Sequence, residues 1–180
     1  MAVVAIILAL SLPAINGLSS SNNLNNGGRT VSNLLAAARS EAINRRSLVR
    51  FEIATTWSSN AGDAYRKVVL VQHDSTAGTD TPITNWQTLP TGVVFQDPST
   101  LTGVKQQTPP IKFANQDVTS YYVEFLPTGA LNIPPSASPV TFRVMPGFVS
   151  GSSRPTATST TNWFNISIDA LVGRVAITHP

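Results

Sequence analysis

The residues that could do chemistry in this chain are few and poorly accompanied. Its two imidazoles are His73, which precedes Asp74, and His179, next to the last residue. A histidine beside a carboxylate can ligate a metal or move a proton. Here, however, no Gly-x-Ser-x-Gly elbow and no His-Glu-x-x-His run supplies the rest of a site. A solvated loop pair is the better reading of His73-Asp74. Asp74, Gly78 and Asp80 faintly resemble a calcium loop, yet their spacing is not that of an EF-hand. The chain has no cysteine, which excludes disulfides and thiolate metal sites. No catalytic residue, metal site or cofactor is expected.

Binding chemistry offers two further candidates. Arg39, Arg46 and Arg50, with Arg45 nearby, fall within a narrow arc if one helix carries them all, and such an edge could hold nucleic-acid phosphates. Against this, no cluster of aromatics accompanies them to stack bases. Arginines of this kind also snorkel over a sheet edge or pair across subunits. The net charge of +3 rests on 12 basic against 9 acidic side chains, a weak attraction for a polyanion. Trp57, Trp86 and Trp163 could form a carbohydrate-binding platform, although tryptophans more often serve as buried anchors.

The elements that must position these residues begin with an uncharged apolar run: Ala2, Val3, Val4, Ala5, Ile6, Ile7, Leu8, Leu10, Leu12 and Pro13 are its main members. As a helix it spans about 18 Å, short of the ~30 Å bilayer core. It has no basic n-region and no nearby small-x-small cleavage site. The expectation is the C-terminal part of a longer membrane helix whose beginning lies upstream of Met1. Residues 19–28 follow as a Ser, Asn and Gly tract, which local propensity makes loop or weakly held helix. From Thr30 the pattern sharpens. Val31, Leu34, Leu35, Ala38 and Ala42 recur at helical spacing, which predicts a helix over residues 30–46 packed by that stripe. Thr30 is the expected N-cap, and Glu41 stands four residues before Arg45, a favourable pairing.

Beyond the helix the period drops to two. Val49, Phe51 and Ile53 alternate with Arg50 and Glu52, the pattern of a half-buried strand. Further strands are expected over residues 67–72, 92–95, 121–126, 140–145, 164–168 and 173–178, with a hairpin loop at 169–173. Pro and Gly punctuate most connections. Residues 74–82 and 150–161 read as polar loops. One helix followed by strands, without a βαβ rhythm, predicts an α+β fold with an antiparallel sheet. At 180 residues with only 12% charged, the chain suits one cored domain plus an appendage, exported and tethered to a membrane.

Five blocks in order carry a resemblance. They are the apolar run ending Leu12-Pro13-Ala14; Leu35 with residues 38–45 (Ala-Arg-Ser-Glu-Ala-Ile-Asn-Arg); Trp86 with Leu89-Pro90-Thr91-Gly92-Val93; Phe125-Leu126-Pro127-Thr128-Gly129; and Gly173-Arg174-Val175-Ala176-Ile177. Together they resemble the type IV pilin-like proteins, and within them the GspH/FimT family of minor pseudopilins and minor pilins. The resemblance implies a pilin-like fold: one long N-terminal helix on an antiparallel β head, divided into one sheet or two. Residues 1–46 would be the helix (1–18 apolar, 19–29 polar and weakly helical, 30–46 amphipathic) and 47–180 the head.

It further implies a non-enzymatic subunit of a type II secretion pseudopilus or a type IV pilus, with the head in the periplasm and the helix in the bacterial inner membrane. Its partners would be other pilins or pseudopilins through the N-terminal helix, the inner-membrane assembly platform, and membrane lipid before assembly. Nucleic acid is not an expected partner. The family's leader ending in Gly, its methylated N-terminal residue and its Glu are not among these residues, so a leader and about nine further residues are expected upstream. The alternatives are a DNA-binding minor pilin of an uptake machine and a surface- or carbohydrate-binding adhesin head.

Overall fold

The computed structural model describes residues 2–57, 60–113, 116–150 and 154–179, with side chains from residue 21 onward except at 113 and 116. Its first element is a single helix, α1 (Ala2–Arg45), of 44 residues, about 66 Å at helical rise. Thr30 is therefore an interior residue and not an N-cap. The Ser, Asn and Gly tract is helical without interruption. Its local cost, about 1 kcal/mol for each glycine, is offset by tertiary contact. Leu24 is buried, and the Asn23 side-chain amide donates to the Thr91 carbonyl.

Gly27 and Gly28 let the helix approach closely. A Cβ at Gly27 would lie 2.9 Å from Val93 Cγ1, and one at Gly28 3.0 Å from Phe164 Cδ2. The helix stops at Arg46, which takes a left-handed φ of 52°. The Arg46 and Ser47 N–H groups donate back to the Ile43 and Ala42 carbonyls, a Schellman cap. Among the described residues no helix is long and apolar enough to cross a membrane.

Thirteen strands follow: β1 (Leu48–Ala54), β2 (Lys67–Asp74), β3 (Thr79–Pro82), β4 (Gln87–Thr88), β5 (Val93–Phe95), β6 (Lys105–Gln106), β7 (Ile111–Phe113), β8 (Gln116–Val118), β9 (Ser120–Phe125), β10 (Val140–Phe148), β11 (Thr156–Ala157), β12 (Phe164–Ile168) and β13 (Val175–Thr178) among the described residues. They form two main antiparallel sheets. The first runs β3-β2-β1-β9-β6 with β4 beside β2, the second β11-β10-β12-β13 with β5 beside β10, and β7 and β8 make a small hairpin. The fold is thus α+β, one N-terminal helix packed on antiparallel sheets.

Residues 74–82 are not a free loop. They form the β2–β3 hairpin, His73 opposite Asp80, around a turn whose Asp74 carboxylate accepts the Thr76 and Ala77 N–H groups. Within 150–161, β11 pairs with β10, and residues 151–153 lie outside the described ones.

One core joins the three layers. Val31, Leu34, Leu35, Ala38 and Ala42 of α1 are all buried there. They meet Val49, Phe51 and Ile53 of β1 and Phe142, Ile166 and Ile168 of the second sheet. Phe51, Phe95 and Phe142 hold one another with ring centroids 5.9–6.4 Å apart, which ties the two sheets together. The outer face of β1 departs from the expected alternation: Arg50 and Glu52 are buried as fully as their apolar neighbours.

Candidate functional site: a buried charge cluster and an arginine notch

The buried charges centre on Arg50. Directly opposite it across the β1–β9 pair stands Glu124, so period-2 geometry places both on one face. Arg50 Nε donates to Glu124 at 3.1 Å, and Nη1 donates to Asp80 at 3.1 Å and to the Gln107 side-chain oxygen at 3.0 Å. Gln107 in turn donates to Asp80 at 2.6 Å, and His73 Nδ1 lies 2.7 Å from the same carboxylate. The guanidinium sits 4.3 Å above the Tyr122 ring. A cleft of about 620 Å³ opens over this cluster, walled by Pro82, Pro109 and Ile111 with Lys112 among its polar lining residues.

Glu52, two residues along β1, is wholly buried. Ser120 Oγ donates to its Oε2 at 2.6 Å, while its Oε1 has no partner. Burial pushes this carboxyl up from 4.5 to about 7. The Ser120 hydrogen bond opposes the shift, Asp80 adds to it, and Arg50 opposes it. In chemical terms the cluster is a set of charges that satisfy one another, with Glu52 as the group left short. Among the described residues, His73 has no hydroxyl partner that it could activate and no group of three His, Asp or Glu could hold a metal.

The arginine arc does not exist. The chain turns at Arg46, so Arg50 lies on β1 and is buried, with Glu124 and Asp80 as ion-pair partners. Arg46 is exposed and Arg45 pairs with Glu41. Arg39, Arg46 and Arg50 therefore do not lie along one helix, as a phosphate-holding arc would require. The tryptophans form no shared platform either: Trp57 and Trp86 meet edge to face at 5.3 Å beside Ala54 and Val118. Trp163 belongs to another cluster with Val94 and Met145, under Arg143. The run Ala2 to Pro13 lies on α1, and its side chains are outside the described ones.

Arg39 has a different role from the one expected. Its side chain passes a notch formed by Gly129 and Gly173, with φ values of +83° and +62°. A Cβ at Gly173 would lie 1.8 Å from the Gly129 carbonyl oxygen and 3.2 Å from Arg39 Cδ, and one at Gly129 would lie 2.8 Å from Ile43 Cδ1. Only glycine fits such positions. Arg39 Nε is buried there without a hydrogen-bond partner. The notch joins three of the five sequence blocks at one point. Nothing in the local spacing of Arg39 signals this, because its neighbours come from the far end of the chain.

The comparisons with known proteins agree with this architecture. The family Type II transport protein GspH matches residues 28–163. No curated protein matches the chain. Among solved structures, the minor pseudopilin EpsH from the type 2 secretion system of Vibrio cholerae superposes with a TM-score of 0.51 at 13% identity, over 88% of this chain and 98% of that one. The type IV minor pilin FimU of Pseudomonas aeruginosa gives 0.51 at 15% identity, over 88% and 93%. These likenesses concern the fold, and the family match covers most of the chain: the protein belongs to the GspH family of type IV pilin-like proteins.

Proposed function

We propose that this chain is a structural minor subunit of a type II secretion pseudopilus or a type IV pilus, assembled through its N-terminal helix. The observation that carries the reading is α1: one 44-residue helix whose half from Leu24 onward is fixed to the head by a buried stripe. A helix so held can transmit force between its apolar N-terminal run and the head. In this reading the apolar run rests in inner-membrane lipid before assembly, beside the assembly platform, with the head in the periplasm. It then exchanges lipid for the helices of neighbouring subunits. The buried cluster around Arg50 serves the head's rigidity and not a reaction.

The test is to replace Ile7 and Leu8 with Lys in the full chain and to follow both the subunit and the machine in its native cell. The wild type should co-purify with envelope filament assemblies, and the double variant should be lost from them, with secretion or piliation reduced. A wild type found only in soluble fractions, with a deletion that leaves secretion and piliation intact, would refute the reading.

A further inference from the structure

Five large apolar side chains are notably exposed among the described residues, and three of them, Ile43 (40%), Leu171 (66%) and Val172 (52%), flank the Arg39 notch. Ile43 abuts Gly129 from the helix, and Leu171 and Val172 precede Gly173 on the tip between β12 and β13. The surrounding charge is mostly positive: one carboxylate, Asp169, stands there and accepts the Leu171 and Val172 N–H groups. Arg46 and Arg174 are exposed, and no carboxylate pairs with Arg39, Arg46 or Arg174 among the described residues. Arg39 itself is half-buried against Gly129 and Gly173, and a guanidinium without a carboxylate partner gains from one brought to its open side.

We infer that this corner is a docking surface for a different pilin-like subunit, one that places apolar side chains on Leu171, Val172 and Ile43 and a carboxylate toward Arg39. The inference rests on the filament reading above. Charge complementarity decides the occupant. Of the chain's nine acidic side chains, two are buried on the first sheet, four more are ion-paired and two cap turns, which leaves only Asp117. A second copy of this chain has one unengaged carboxylate to offer and carries the same net positive charge. An acidic neighbour supplies what the corner lacks, and opposite charges across such a rim also steer encounter and orientation.

The chain's freedom from cysteine permits a clean test. Leu171→Cys, Val172→Cys and, as a background site, Phe148→Cys are each made in the full-length chain, labelled with a maleimide-benzophenone and irradiated in envelope assemblies solubilised in mild detergent. The expected result is an adduct from positions 171 and 172 to a pilin-like subunit other than this chain, mapped to a segment bearing Asp or Glu. Its yield should fall at least about tenfold when Arg39→Gln and Arg174→Gln are combined, or in 1 M salt. Adducts to another copy, to nucleic acid, or from position 148 alone overturn the proposal, as does no adduct from a chain that is present in the assemblies. In each of those cases the filament reading stands. A chain absent from the assemblies overturns both.

Discussion

Glu52→Gln is the substitution whose effect follows most directly from the structure. The Glu52 carboxyl is wholly buried, accepts one hydrogen bond from Ser120, and is raised from 4.5 to about 7 by burial. An acid raised in the folded state binds its proton more tightly there than in the unfolded chain. Stability from this group is therefore complete below pH ~4.5 and is lost as pH rises through about 7. At about 1.36 kcal/mol per pKa unit the loss is roughly 3 kcal/mol. With a urea slope of about 2 kcal/mol per molar, the unfolding midpoint should drop by about 1.5 M between pH 4.5 and 8. A glutamine side chain cannot ionise, so this component should vanish in the variant.

The assay is urea unfolding of both proteins at half-unit steps across that range, plotted as the difference between variant and wild type. The difference isolates Glu52, because Asp80, Arg50, Tyr122 and His73 are common to both proteins. It should rise with pH in favour of the Glu52→Gln variant. A flat difference would refute the reasoning and mean that water or a rearranged donor reaches Oε1.

Two further predictions concern packing. Gly173→Ala should cost more than about 4 kcal/mol, because its Cβ would fall 1.8 Å from a carbonyl oxygen, whereas Gly78→Ala, at φ +65° in open space, should cost only about 1–2 kcal/mol. Thermal melts that rank the pair the other way would show that the notch opens freely. Ala38→Glu buries an unpaired charge on the helix stripe and should cost several kcal/mol, while Arg45→Ala breaks one exposed ion pair with Glu41 and should cost under ~1 kcal/mol. Equal losses in denaturant titrations would mean that the helix docks through another face.

What the sequence disclosed follows the range of its signals. Val31 to Ala42 and Val49 to Ile53 repeat at 3.6 and 2 residues, and those periods identified the helix face and the core face of β1 correctly. Strands of two residues, such as β4 and β11, are too short to carry a period. Gly27 and Gly28 read as helix weakness because propensity is local, whereas the Val93 and Phe164 side chains that use their missing Cβ atoms lie far along the chain. Arg50 and Glu52 read as solvent-facing for the same reason: the residues that cover them, Asp80, Gln107 and Ser120, come from other strands and connections. The Arg39 notch needed three distant segments at once, and the family resemblance supplied those blocks without saying that they touch.

The core that the helix shares with both sheets has a consequence for the order of events as the chain is made. Val31, Leu35 and Ala38 are synthesised early, but Ile166 and Ile168, which belong to the same core, arrive only near the end. At ~5–20 residues per second the stripe stays uncovered for many seconds. During that interval the helix cannot be sheltered by its own head, and an amphipathic segment left bare in water is prone to aggregate. The last strand, β13, contacts α1, so truncation from the C-terminus removes part of the helix's seat and should release the first element built.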